Sequence, residues 1–464
     1  MRIRKYDFDY GRRELLGKVA YGIGAAGVLA PLWPLIARGA DVTSAYPDEL
    51  LSIEAYTKGR IKPGDVIDAN NVELVKDLID PVCYRQVKEV GRKLNIVAPT
   101  LDATRLFPHD YLEATLRNKG RARFDADKNV VTDQGEPWIG GLPFAEPKDG
   151  LEAVYNLALN WGRHDYSQYA IRDWDIKPDG SIGYQYDFVW VEMNGAARTD
   201  GKYFADRKDV LRYQSIFFTR PNDAAGTSFL NTWYYDQRKF PDLQGFLPAF
   251  KRVRQFPTNQ RFEPLVPGLS MFLSDAWATG DPTLTWGNFR IIERRPFLGA
   301  IGGANFHGSR HPNWEYPTHG GARGLTFFET HFEMCPEVLV IEGEPVGYPR
   351  SPYSKRRIYI DARNGMFLTS LQFDRRGEVW KQFEAAFGPF DNGRDVVKEP
   401  NGHTLWSWNK VMSYDIQTHR VTRFSQVREI EGGYRNVYSG PGTDERALWN
   451  KFLTVQAMQR LGSA

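Results

Sequence analysis

Between residues 170 and 427, apolar side chains recur at every second position in run after run, with short turn signals between the runs. Trp174, Ile176, Ile182, Tyr184, Tyr186, Phe188 and Trp190 lie in such phase around the turn Lys177-Pro178-Asp179-Gly180. A period of two sends alternate side chains to one face of a strand, so each run predicts a half-buried strand. Further runs occupy residues 213–219, 229–236, 289–294, 338–342, 357–361, 367–373, 404–414 and 422–427. The segments Pro221-Asn222-Asp223, Ala362-Arg363-Asn364-Gly365 and Asp374-Arg375-Arg376-Gly377 read as the turns between them. Successive strands joined by short turns make antiparallel meanders. Aromatic residues are 14% of the chain, which suits broad sheets whose wide interlayer spaces need large rings.

Helices are expected at both ends of this β region. Asp68 is placed to cap one with Val72, Leu74, Val75, Leu78 and Ile79 on its apolar face, stopped by Pro81. Others are predicted over 82–91, 151–161 and 443–461, the last with Asp444 and Glu445 in its first turn and Arg460 in its last. The fold class is therefore mainly β with helices.

Ahead of this domain stands a leader. Arg12-Arg13 is followed by Leu15-Leu16, Lys18 and an uncharged run from Val19 to Ala37. Paired arginines before a mildly apolar Gly/Ala-rich run read as a twin-arginine export signal. An ordinary buried helix would have to absorb Gly22, Gly24, Gly27, Pro31 and Pro34, each costly in a helix interior. Ala37-Arg38-Gly39 offers a small-x-small cleavage site, yet the run is also long enough to stay as an inner-membrane anchor. Both fates are open at this stage, and both place the rest of the chain in the periplasm. The domain reading is a leader at 1–40, a connector at 41–60 and a β-rich domain at 61–464.

Formal net charge is +3 and no basic block of nucleic-acid-binding density appears, so no nucleic-acid partner is expected. Cys83 and Cys335 are the only cysteines, and sequence leaves open whether they pair. Neither a nucleophile elbow, a phosphate-binding Gly-rich loop nor a His-Glu-x-x-His helix occurs, so no catalytic residue or cofactor is expected. The one enzymatic alternative is a metal site on His307, His311, Glu315 and His319, which crowd a Gly/Pro-rich loop. Arg252 and Arg254, and Arg356 and Arg357, lie on predicted strands. They serve either as charged guards of strand edges or as a rim that grips an acidic head group or partner.

Five segments occur in an order that resembles a known bacterial family. They are Lys62-Pro63-Gly64-Asp65-Val66-Ile67-Asp68, Gly141-Leu142-Pro143-Phe144, Lys251-Arg252-Val253-Arg254-Gln255-Phe256-Pro257-Thr258, Lys355-Arg356-Arg357-Ile358-Tyr359-Ile360-Asp361 and Phe373-Asp374-Arg375-Arg376-Gly377-Glu378-Val379-Trp380. The family is domain of unknown function 1329, also described as outer-membrane lipoprotein-sorting-like proteins, and the resemblance spans roughly residues 60–460. It implies a large curved antiparallel half-open β-barrel with helices packed on its concave face, as in periplasmic lipoprotein carriers. It also implies a place beside resistance-nodulation-division-type transporters and an outer-membrane protein. The chain departs from a typical member in its twin-arginine-like leader and in the His/Gly/Pro loop near 299–325.

On that reading the cavity candidates are Trp233 and Tyr235, which share a face, with Tyr359 from the later hairpin. Phe367, Leu371 and Phe373 complete the set, sharing another face. The leading expectation is a non-enzymatic periplasmic carrier of a lipid or other hydrophobic compound. A structural module of an envelope complex with no exchangeable ligand, and a metal enzyme on the His loop, are the alternatives. The leader generates a test. Arg12→Lys combined with Arg13→Lys should trap the protein in the cytoplasm, because the signal is read through paired guanidinium groups. Wild-type amounts of exported protein on cell fractionation would overturn the export reading.

Overall fold

The computed structural model describes residues 46, 48–257 and 261–463. The leader with Arg12 and Arg13, residues 41–45 and 47 of the connector, and Thr258 lie outside the described residues. Sixteen strands form one sheet. They are β1 (Val66–Ile67), β2 (Leu94–Ile96), β3 (Tyr166–Ile176), β4 (Ile182–Asn194), β5 (Val210–Arg220), β6 (Ser228–Tyr234), β7 (Asp242–Leu247), β8 (Arg252–Phe256), β9 (Gly287–Gly299), β10 (His331–Glu344), β11 (Tyr353–Asp361), β12 (Met366–Asp374), β13 (Val379–Pro389), β14 (Trp406–Asp415), β15 (Val421–Gln426) and β16 (Val437–Tyr438).

The order across the sheet is β1-β2-β10-β11-β12-β13-β14-β15-β3-β4-β5-β6-β7-β8, with β9 also on β10 and β16 also on β3. Two meanders are thus fused where β15 pairs antiparallel with β3, Phe424 opposite Asp173. Every pairing is antiparallel except the short one between β2 and β10. The sheet is open, since β8 pairs only with β7 while β1, β2 and β9 bound the other end. The alternating runs read from sequence fall in strands, to within a residue or two at the ends, but β1, β2, β7, β13 and β16 carried no comparable signal and are additions.

Both faces of the sheet are covered. One face packs an aromatic-rich core that includes Tyr169, Phe188, Trp190, Trp233, Phe383 and Trp408. Helix α3 (Gly150–Ala158) belongs to this face; Asp149 caps it by accepting from Leu151 N and Glu152 N. The other face carries α1 (Pro81–Val90) and α2 (His109–Asn118) at one end. Helices α4 (Glu445–Phe452) and α5 (Val455–Ser463) cover β5–β8 at the other. Helix α1 begins at Asp80, whose carboxylate accepts from Val82 N at 2.8 Å and Cys83 N at 3.0 Å, and ends at Gly91 with φ of 76°. Among the described residues no helix is long and apolar enough to cross a membrane.

Two helix expectations change. The predicted helix after Asp68 is a pair of single 3-10 turns, Val72–Leu74 and Lys76–Leu78, broken at Val75. Asp68 and Asn71 bond each other's neighbourhood as a turn instead of capping a longer helix. The C-terminal helix divides at Leu453, because Thr454 Oγ1 accepts from Ala457 N and restarts it as α5. Cys83 and Cys335 are separate buried thiols.

The N-terminal region is tied to the sheet by a buried ion network. Arg363, fully buried, donates to Asp361 at 2.7 Å and to Glu333 at 3.3 Å, and reaches Thr100 O at 3.2 Å. Burial pushes the Glu333 carboxyl up to about 7, with Arg363 and Thr100 opposing. A carboxyl raised in the folded chain contributes fully below its unfolded value of about 4.5, and that contribution is lost as pH rises toward about 7. Glu333→Gln has no proton to lose. Its stability minus that of the wild type should therefore increase between these pH values in urea unfolding, and a flat or falling difference would overturn the assignment.

Candidate functional site

Residues 261–286 cross the aromatic face of the sheet as an irregular strap. Pro264, Pro267, Gly268, Gly280 and Pro282 deny it regular structure, and only two short 3-10 segments form, Leu273–Ala278 and Thr283–Thr285. What replaces regular backbone bonding is a set of buried polar ties. Arg356 on β11 donates to Ser274 O at 2.5 Å and to Ala278 O at 3.1 Å. Lys381 on β13 donates to Ser270 O at 2.6 Å, and Ser270 N donates to Thr422 Oγ1 on β15 at 2.7 Å. Asp275 accepts from the Tyr353 hydroxyl at 2.9 Å and lies 3.8 Å from both Arg356 and Lys381. Asp281 pairs with Arg261 and accepts from Trp286 Nε1 at 2.8 Å. Burial alone would raise the Asp281 carboxyl, but Arg261 and Arg356 overcome it and hold the group below its ordinary value.

Between strap and sheet lies a cavity of about 60 Å³. That holds on the order of five water-sized spheres, since one needs about 10–15 Å³. Its floor is the sheet, with Phe188 and Trp190 from β4, Ile216 and Phe218 from β5, Phe229 and Trp233 from β6, and Phe424 from β15. Its roof is the strap, with Leu265, Val266, Leu269, Met271 and Ala276. The few polar side chains on the wall are Asp173, Gln214, Asn231, Arg261 and Thr422. An apolar space of this kind stays dry or takes an apolar guest.

The residues singled out in the sequence divide as follows. Trp233 lines the cavity, edge-on to Trp161 with ring centres 5.1 Å apart. Tyr235 does not line it; its hydroxyl accepts from Trp138 N at 2.7 Å and donates to Val130 O, so the ring braces the segment before α3. Phe367 shares this face of the sheet but stacks on Phe383 away from the cavity. Leu371 and Phe373 point to the opposite face with Tyr359. The shared face expected for Phe367, Leu371 and Phe373 fails because of a bulge. Tyr359 pairs with Thr369 while Ile360 pairs with Phe367, so Leu368 is extra and the phase flips.

The arginines divide too. Arg252 and Arg254 are exposed on the edge strand β8, with Arg254 over the Phe250 ring at 4.0 Å. Arg356 is no surface residue but the buried clamp described above, at 2% exposure. Arg357 pairs with Glu342 at 2.6 Å on the opposite face, over Phe373. The histidine loop does not converge. His307 stacks on His311 at 4.8 Å, His319 Nε2 accepts from Lys93 N at 2.9 Å, and Glu315 pairs with Arg172 at 2.6 Å. Burial is the largest cause that holds His307 and His319 near 4, so both are neutral at pH 7. Among the described residues no three His, Cys, Asp or Glu side chains stand together to hold a metal.

Sequence reasoning missed the strap, and with it the cavity. Phe188 and Trp190 carried a signal as members of an alternating run, whereas the strap's Pro/Gly spacing gives no period. Asp173 had one faint mark, a carboxylate in phase with the buried Tyr169 and Ile171.

The molecule is thus a mainly β protein with helices, whose open sheet holds an apolar cavity under a strap. It belongs to the family described as protein of unknown function (DUF1329), whose model matches residues 66–459. No curated protein matches the chain. Among solved structures it is similar to a putative outer membrane lipoprotein-sorting protein domain from Vibrio parahaemolyticus, at 16% identity and a TM-score of 0.43, covering 67% of this chain and 98% of that one. It is similar to a DUF1329 family protein from Desulfovibrio piger at 14% identity and 0.41, covering 64% and 94%. A LolA superfamily protein from Nitrosomonas europaea gives 11% identity and 0.32, covering 57% and 88%.

The clamp can be tested apart from any ligand. Asp281→Ala leaves Arg261 and the Trp286 N–H buried without their acceptor and should cost about 3–5 kcal/mol in denaturant unfolding. A variant as stable as the wild type would show that apolar contacts alone hold the strap.

Proposed function

We propose that this protein binds a hydrophobic small molecule or lipid without transforming it, and works in the periplasm as a carrier or accessory protein. The observation that carries the reading is the apolar cavity between strap and sheet. A water-excluding space lined by Phe, Trp, Leu and Met favours a guest by removing apolar surface from water, about 25 cal/mol per Å². The curvature of the sheet around that space is, on this reading, the half-open barrel that the family resemblance implies. Residues 61–464 act as one carrier domain behind the export signal. A resistance-nodulation-division-type transporter and an outer-membrane protein are the proposed partners that supply and receive the cargo, with the exposed Arg252 and Arg254 available on the sheet edge for docking.

Native mass spectrometry of the purified full chain tests cargo directly. A co-purified lipid or apolar compound is the expected result, and a structural module would give the bare chain mass. The site itself is tested by Ala276→Phe, which places a ring in the cavity from the strap side. Binding of the hydrocarbon dye diphenylhexatriene should be abolished while the melting temperature holds or rises, since the added ring fills empty space. Undiminished dye binding in a folded variant would move the site elsewhere.

A further inference from the structure

One group in the cavity wall is out of keeping with a purely apolar guest. Asp173 sits in the middle of β3, opposite Tyr186 on β4 and Phe424 on β15, and faces the cavity. It is 1% exposed, and neither carboxyl oxygen has a hydrogen-bond partner among the described residues. The other polar wall residues are mostly occupied. Gln214 donates to Glu192 at 3.0 Å and accepts from Trp233, Arg261 is taken by Asp281 and Gly280 O, and Thr422 accepts from Ser270 N. Asn231, at 7% exposure, also faces the space.

A buried carboxyl with no partner costs free energy on the order of 1–3 kcal/mol even when neutral, and far more when charged. Three groups act on it. Burial pushes Asp173 well above the ordinary carboxylate range, Asp175 on the same strand adds to that, and Arg423 with the Trp174 N–H opposes it. Arg423 gives only distant help, since its guanidinium lies over the Trp174 and Phe328 rings. Asp175 is engaged by Arg420. Burial without a partner thus favours the protonated form of Asp173, which has an O–H to donate and an apolar space in front of it.

We propose that Asp173 is the polar anchor of the cavity, donating its carboxyl O–H to an acceptor oxygen on an otherwise apolar ligand. The ligand class is then a hydrophobic molecule with a ketone, ester, hydroxyl or acid oxygen, rather than a plain hydrocarbon. This rests on the reading of the cavity as a binding site and adds the chemistry of what it selects. A ligand oxygen would satisfy the one titratable wall residue that lacks a partner among the described residues, whereas a hydrocarbon would seal it in unpaired.

The test displaces diphenylhexatriene from the full chain with two compounds of matched shape, 2-acetylnaphthalene and 2-ethylnaphthalene. The readout is the ratio of their dissociation constants. In Asp173→Leu the ratio should move against the ketone by about tenfold, the size of one buried hydrogen bond. Asp173→Asn still presents an N–H donor and should keep the wild-type ratio. A ratio unchanged in Asp173→Leu, or lost equally in Asp173→Asn, overturns the anchor. Should the leucine variant fail to fold, the infrared carbonyl stretch of the ketone bound to wild type decides. A shift to lower frequency than in alkane supports the hydrogen bond, and a band at the alkane position overturns it. Failure of the wild type to bind the dye or either compound would instead overturn the binding reading itself, so the two failures are distinct.

Discussion

The strap exists because buried cations on the sheet reach up to its backbone. Arg356 and Lys381 come from neighbouring parts of the second meander, and both spend their hydrogen bonds on carbonyl oxygens of residues 270–278. Asp275 on the strap stands 3.8 Å from both. Taking these charges out of water is expensive, and a buried ion pair seldom adds net stability over well-packed hydrocarbon. What such groups give is position: a directional bond to a particular carbonyl is met in one register of the strap and lost in others. The strap is short of regular structure and lies on a face of aromatic rings that would accept many registers. Fixing it by directional bonds decides where its apolar residues meet the sheet and where they leave a gap.

The gap lies where the ties to the sheet are fewer. The clamp residues grip the strap over β11, β13 and β15, whereas the cavity opens over β4, β5 and β6, where Leu265, Val266 and Leu269 face the floor through apolar contact. Apolar contact is non-directional and reforms around a guest at little cost, while the polar ties hold the far part in register. One strap thus has a densely clamped half and a half that meets the sheet mostly through apolar side chains, with Tyr186 donating to Pro267 O at 2.9 Å and Arg420 to Gly268 O at 3.2 Å. That division is what a binding site of variable filling requires.

How much of this could be read from the chain follows from how the sheet is buried. Alternation located nearly every long strand, because a period of two survives whatever covers each face. It failed to say which face is which, because both are covered and both select large apolar residues. Trp174 looked like a core residue of its run and is one, packed edge-on to Phe328, but on the face away from the cavity. Its neighbour Asp173 therefore takes the position that looks into the apolar space. The bulge at Leu368 is invisible for the same reason, since apolar residues stand on both sides of it. Arg356 read as a surface charge because an arginine in a strand is usually exposed, and nothing in the sequence marks Ser274 and Ala278, some eighty residues away, as its acceptors.

Those misplacements point one way. Sequence pattern ranks residues by how well they fit a generic half-buried strand, so it undervalues the positions where a polar group is buried at a cost. On or facing the cavity side of the sheet, such costly positions include Asp173, Asp275, Asp281, Arg356 and Lys381. Four of them recover the cost by bonding one another or the strap. Of these five, Asp173 alone has no hydrogen-bond partner on any side-chain polar atom among the described residues, and that leaves its carboxyl for something outside the chain.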